Sequence, residues 1–216
     1  MTEKKYTHTV GKYLGRIIAS SELLRKTEDE LLQLPVFAMP LFELIYTSTV
    51  AGVEKYLEDR LRVEVFLNDE SIEKYIDCNN NLRERYHAYR SKWNPKLWNR
   101  ELKNLSSPFS ESDKGKIQDN LNRIVYHRLD LLDTYLHYVS GFTPGVCPSW
   151  ELVKPVIDTR QRILHHGSTN DDGTPLGLTI SDVVRACEVA ESFISEVENF
   201  FVSIGHPEVF EDPSEE

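Results

Sequence analysis

Apolar residues recur at intervals of three and four along most of the chain, which is the pattern of amphipathic α-helices. The clearest stripe begins near Thr179 and comprises Ile180, Val183, Val184, Cys187, Ala190, Ile194, Val197, Phe201 and Ile204. No segment alternates between apolar and polar residues as a half-buried β-strand would. The pattern therefore predicts an all-α fold, an up-and-down antiparallel bundle of about five to six helices.

Prolines, glycines and capping residues divide this pattern into separate helices. Pro35 and Pro40 are predicted to break the chain after the first helix, because proline removes a backbone donor. Ser110, with Asp113 three residues later, predicts a capped helix start. The predicted helices span about 13–32, 41–67, 72–93, 113–139, 149–166 and 179–204.

The length of 216 residues is that of one domain with a sizeable core. We predict a single domain over 1–216 with its core at about 41–204. Residues 1–40 are then an N-terminal helical extension, and residues 205–216 are an acidic tail.

The charge balance limits which partners are expected. The net charge is -10, so any nucleic-acid site must be a local basic patch on an acidic body. No apolar run is long enough for a membrane span, and no apolar signal core follows the first residues. Cys78, Cys147 and Cys187 are odd in number and widely spaced, which favours a reducing, cytoplasmic setting.

The segment from Arg160 to Gly167 concentrates the groups that can carry chemistry. It contains two arginines, two histidines and an amide near the end of a predicted helix. Arg160 can fork onto phosphate oxygens, and His165 can exchange a proton near neutral pH. One arginine and one histidine are the smallest set of side chains that could cleave RNA without a metal.

Helical geometry separates the two residues. Arg160 and His165 lie five positions apart, roughly 140° around a helix axis, whereas Gln161 and His165 share a face. A second copy of the same helix about a two-fold axis would bring two arginines and two histidines into one cleft.

The order Arg160, polar Gln161, apolar Ile163-Leu164 and His165 resembles the signature of the HEPN superfamily. In that signature an arginine and a polar residue precede a histidine in a late helix of an all-α bundle. The similarity extends over about 41–204, although only the short motif is distinctive. Some toxin members carry a modifiable tyrosine two places after the histidine, and Gly167 stands at that position here.

The resemblance implies a homodimeric, metal-independent endoribonuclease that needs no cofactor and acts on an RNA substrate. It implies Arg160 and His165 as catalytic residues and Gln161 as the matched polar residue, while His166 is a weaker catalytic candidate and Arg162 a candidate RNA contact. Members occur in toxin–antitoxin, phage-defence and RNA-processing systems, so an antitoxin or other protein partner is also an expectation.

A basic and aromatic segment over 83–103 is a second candidate for RNA binding, with seven basic residues against two acidic ones. Basic and aromatic side chains together suit single-stranded RNA, by phosphate pairing and base stacking. A solvated helix with its aromatic residues in the core is an equally good interpretation. The RNA contacts predicted here are Arg83, Arg85, Arg90, Lys92 and Trp93.

Three other interpretations compete with the nuclease. The cations near Arg160 could simply neutralise the helix dipole. A non-catalytic dimeric helical module that binds a protein partner or nucleotide is the alternative function. Arg123 and His127 imitate the motif with one residue fewer between them and are predicted to lie in the middle of a helix. No metal-site spacing appears, and His165-His166 with Asp171-Asp172 is a poor chelating set.

Overall fold

The computed structural model describes residues 10–32, 35–88, 102, 104–166, 168–170, 172–207 and 209. These residues form seven α-helices and no β-strand, which confirms the all-α prediction. The helices are α1 (Val10–Leu32), α2 (Pro35–Val65), α3 (Asp69–Ala88), α4 (Glu111–Leu121), α5 (Leu129–Ser140), α6 (Ser149–His165) and α7 (Ile180–Ser203).

The predicted count of five to six helices is too low, because the helix expected over 113–139 is two helices. The chain leaves the helical path between α4 and α5, where no proline or glycine signals a break. The buried Tyr126 donates its hydroxyl to the Leu121 carbonyl at 2.9 Å and so satisfies an acceptor at the end of α4. The Asn122 side chain accepts from Gln118 at 2.8 Å. Local side-chain contacts, which periodicity does not reveal, accompany the end of this helix.

The predicted break at Pro40 is also wrong, since α2 begins at Pro35 and continues through Pro40. Pro40 is exposed and lies near the start of a 31-residue helix. The loss of one backbone hydrogen bond there is offset by burial of Phe42, Ile45 and Tyr46 on the following turns.

The chain divides into two compact units. The first comprises Met1–Tyr56 with Gly145–Glu216, and the second comprises Leu57–Pro144. Helix α2 contributes its N-terminal part to the first unit and its C-terminal part to the second. The predicted division into a core over 41–204, an N-terminal extension and an acidic tail stays a prediction.

In the first unit, α1 and α6 each pack against α7. The stripe predicted on α7 supplies the centre of this core, with only Val184 half-buried and Ile204 exposed. Thr179 caps the helix through a reciprocal pair of hydrogen bonds with Asp182, so α7 starts where the sequence predicts.

In the second unit, α3 packs against α5 through polar aromatic residues. The rings of Tyr75 and Tyr135 lie 5.4 Å apart between centroids. Their hydroxyls donate to Asn120 at 2.5 Å and to Asn79 at 3.0 Å, so these two buried hydroxyl groups are satisfied. The predicted cap of α4 by Ser110 is confirmed.

Within the described part of the chain, no helix combines the length and the apolar character that a membrane span requires.

Candidate active site at the end of helix α6

The N-terminal end of α6 is fixed by a carboxylate from α7. One oxygen of Glu196 accepts from the backbone N–H of Ser149 at 2.8 Å and from the thiol of Cys147 at 3.2 Å. The other oxygen accepts from the Ser149 hydroxyl at 2.9 Å. Glu196 therefore performs the task of a helix cap from a distant part of the chain, at the end where a negative charge is favoured.

This anchor changes the chemistry of Cys147. Burial, together with the neighbouring Glu196 carboxylate, raises the pKa of the Cys147 thiol to about 12. The thiol is consequently protonated at neutral pH and donates its hydrogen to Glu196. Cys147 is thus part of the anchor and not a nucleophile.

Two polar contacts join α2 to the C-terminal half of α6. The Arg160 guanidinium donates from Nη1 to Glu54 Oε1 at 3.0 Å, and both side chains are 18% exposed. The adjacent Thr159 side chain lies close to the buried Tyr46 hydroxyl, whose pKa is raised by burial and lowered by this neighbour. Arg160 is therefore directed into the protein on the same side of α6 as the buried Val156 and Ile157.

Burial raises the pKa of Glu54, and the positive charge of Arg160 opposes that rise. The direction shows that removal from water outweighs the ion pair for this carboxyl group. A partly buried pair of this kind orients the arginine but adds little net stability.

Arg160 keeps unused hydrogen-bonding capacity. Its Nε is buried and has no hydrogen-bond partner among the described residues. The side-chain nitrogen of Gln161 is in the same condition, with no partner in the described part of the chain. Side-chain atoms elsewhere in the described residues, including the Ser195 hydroxyl, share this condition, so it does not by itself mark a site.

The two histidines are presented differently from Arg160. His165 is the last residue of α6, His166 follows it, and both are exposed. Leu164 beside them is 51% exposed. The Thr169 hydroxyl donates to the His166 carbonyl at 2.6 Å, so the following loop continues directly from the helix end.

Arg160 and His165 thus occupy opposite sides of α6, as the sequence spacing predicts. Gln161 is half-buried and lies on the same side of α6 as His165. Arg162 is also half-buried and lies on an outward-facing side of the helix. Gly167 lies outside the described residues. Ser168, which follows it, has a φ of 60°, in the left-handed region.

The structure gives no position for most of the predicted basic patch. Arg83 and Arg85 belong to α3, but their side chains lie outside the described residues. Arg90, Lys92 and Trp93 lie outside them entirely. This second RNA-binding hypothesis stays a prediction.

Arg123 and His127, which resemble the motif with one residue fewer between them, do not lie in the middle of a helix, and this corrects the prediction. Arg123 is exposed and His127 is half-buried in the non-helical connection between α4 and α5. Across the described residues, no group of three histidine, cysteine or carboxylate side chains could hold a metal ion.

Sequence reasoning assigned no role to Glu54 or Glu196. A signal for Glu54 exists, since it falls on the apolar stripe of α2 between Val50 and Leu57, where a charge requires a partner. No local signal exists for Glu196, which lies 47 residues from its partner Ser149.

Neither a scan against protein-family models nor searches of curated proteins and of solved structures found a match for this chain.

Proposed function

We propose that this protein is a metal-independent endoribonuclease of the HEPN type that works as a homodimer. The observation that carries the proposal is the end of α6, where an exposed His165 follows an arginine that Glu54 orients and whose Nε has no described partner. A role in toxin–antitoxin or phage-defence systems is part of the same proposal.

The reaction follows from general acid–base chemistry. His165 takes the proton of a ribose 2′-hydroxyl, and the 2′-oxygen attacks the adjacent phosphorus. The bond from phosphorus to the 5′-oxygen breaks, and the protonated His165 gives its proton to the leaving oxygen. The products are a 2′,3′-cyclic phosphate and a 5′-hydroxyl.

Arg160 stabilises the charge that grows on the phosphorane oxygens. Because Arg160 lies on the other side of α6 from His165, a two-fold arrangement supplies the arginine of one copy to the histidine of the other. To do so, Arg160 leaves its ion pair with Glu54 of its own chain when RNA binds. Gln161 lies on the His165 side of the helix and orients His165 or the scissile phosphate. Arg162 and His166 contact the RNA strand on either side.

The test is RNA cleavage by purified protein in excess EDTA. His165→Ala should lower the rate by about two to four orders of magnitude, the usual contribution of a general acid–base. His127→Ala and Arg123→Ala serve as matched controls for His165→Ala and Arg160→Ala, because they remove the same groups from the imitation motif. Cleavage that stops with EDTA and returns with a divalent ion contradicts the mechanism.

A second function, a non-catalytic dimeric module that binds a protein partner or nucleotide, is favoured by one observation. The ion pair with Glu54 gives Arg160 a structural task within its own chain. The two functions differ in cells: expression of a nuclease slows growth, and Arg160→Ala or His165→Ala relieves that effect. A binding module produces no such difference.

A further inference from the structure

A cleft lies between α1 and α2 in the first unit, and no residue of α6 is among those that line it. It has a volume of about 220 Å³ and is lined by side chains one helical turn apart on each helix. Tyr13 and Tyr56 meet edge to face, with ring centroids 6.1 Å apart, and join the two helices at one end. The cleft therefore has a fixed end and two facing walls.

The charge of the cleft is opposite to that of the chain. None of the nine lining residues is acidic, and two of them, Arg16 on α1 and Lys55 on α2, are basic. Arg16 is exposed and has no ion-pair partner among the described residues. The lining thus brings two cations and no carboxylate to the cleft in a chain of net charge -10, and this balance favours an anion as its ligand.

Hydroxyl groups add neutral donors between the two cations. Ser20 lies on the α1 wall, and Ser48 lies on the α2 wall. Thr49 is buried at the base, where its hydroxyl lies 3.4 Å from the Cys187 thiol and is thereby occupied. Cations and hydroxyls together suit a phosphoryl group, which carries up to two charges and three acceptor oxygens.

The floor of the cleft is apolar and depends on a glycine. Ile17 is buried, and a Cβ at position 52 would lie 3.9 Å from its Cδ1 atom, an ordinary contact. A side chain is therefore compatible with the fold at Gly52, but it would occupy the cleft. The volume equals the share of roughly seven water molecules, which accommodates a phosphoryl group with a short organic chain.

We infer that this cleft binds a phosphoryl group, either as inorganic phosphate or as part of a small phosphomonoester. Arg16 and Lys55 hold the phosphoryl oxygens from opposite walls. The Ser20 and Ser48 hydroxyls donate to the remaining oxygens, and the organic part of a phosphomonoester lies against Ile17.

Isothermal titration calorimetry on the full chain tests the inference, with glycerol 3-phosphate, inorganic phosphate and glycerol as the three probes. About 150 mM salt screens non-specific attraction between exposed charges. Saturable binding of one glycerol 3-phosphate per chain, with no binding of glycerol, is expected. Equal affinity for inorganic phosphate would also support an anion site and would identify the free anion as its ligand. The absence of saturable heat with both anions overturns the inference.

Variants locate the binding. Arg16→Gln and Lys55→Gln should each weaken binding at least about tenfold, the effect of removing one charged hydrogen bond. Arg185→Gln removes the same charge from the exposed face of α7 and should leave affinity unchanged. Equal affinity in Arg16→Gln, Lys55→Gln and Arg185→Gln contradicts the site.

A steric variant tests the same site without changing charge. Gly52→Leu places a good helix former in the cleft and should abolish binding. Gly15→Leu makes the same change on α1, where an added Cβ meets nothing within 4 Å, and should bind normally. Helical content from circular dichroism shows whether both variants fold. If Gly52→Leu does not fold, Arg16→Gln and Lys55→Gln decide the outcome, because the side chains that they replace line the cleft.

Discussion

The two ends of α6 are held in different ways. At the N-terminal end, the Glu196 carboxylate accepts three hydrogen bonds from Ser149 and Cys147 within the chain. At the C-terminal end, His165 and His166 are exposed, and the nearest tie is the Arg160 pair with Glu54. The contrast shows that α6 is anchored within the chain at its N-terminal end, whereas its C-terminal end leaves His165 and His166 exposed.

Removing the Glu196 anchor at the N-terminal end of α6 should give the largest effect on stability. Glu196→Ala leaves the Ser149 N–H and hydroxyl without their acceptor, and it should lower the free energy of unfolding by about 2–3 kcal/mol. Urea unfolding followed by circular dichroism measures this change. Glu191→Ala, on the same helix, should stay within about 0.5 kcal/mol of the unsubstituted protein. Equal losses in the two variants would show that Glu196 is not an anchor.

Replacing Glu54, which pairs with Arg160 near the C-terminal end of α6, should have a smaller, pH-dependent effect on stability. Burial raises the pKa of Glu54, so its ionisation costs the folded state free energy. Protonated Glu54 contributes stability that is fully present below the pKa of this group in the unfolded state. That stability is lost as the pH rises through its pKa in the folded state. Glu54→Gln imitates the protonated form, so its stability relative to the unsubstituted protein should rise between pH 4 and pH 7.

The size of that rise should be below about 1 kcal/mol, because one unit of pKa corresponds to about 1.4 kcal/mol and the side chain is partly exposed. Urea midpoints of both proteins at several pH values measure it. A relative stability that falls with rising pH would mean that the ion pair with Arg160 outweighs burial.

The fold was predictable where local signals and periodicity agree. The capping pairs Ser110–Asp113 and Thr179–Asp182 lie directly before apolar stripes, and both mark real helix starts. The end of α4 at Leu121 was not predictable, because the contact that satisfies it comes from the buried Tyr126 hydroxyl. Periodicity reports which residues are apolar and not which side chain will bond the last carbonyl groups of a helix.

For the candidate site, the spacing of Arg160 and His165 gave their angular separation correctly, since that follows from helical geometry alone. The partner of Arg160 could not be assigned in the same way. Glu54 lies 106 residues earlier, and several carboxylates on α2 compete for the role in the sequence. Only packing of α2 beside α6 selects it.

The central claim is that the arginine of one copy serves the histidine of the other. Mixing Arg160→Ala and His165→Ala subunits tests it most directly, with heterodimers purified through two different affinity tags and assayed for RNA cleavage in EDTA. Each heterodimer retains one of its two sites with both Arg160 and His165. Because about half of the dimers in an unpurified equal mixture are heterodimers, the mixture should recover about a quarter of normal activity. Purified heterodimers should recover about half. A purified heterodimer no more active than either single variant would contradict the claim.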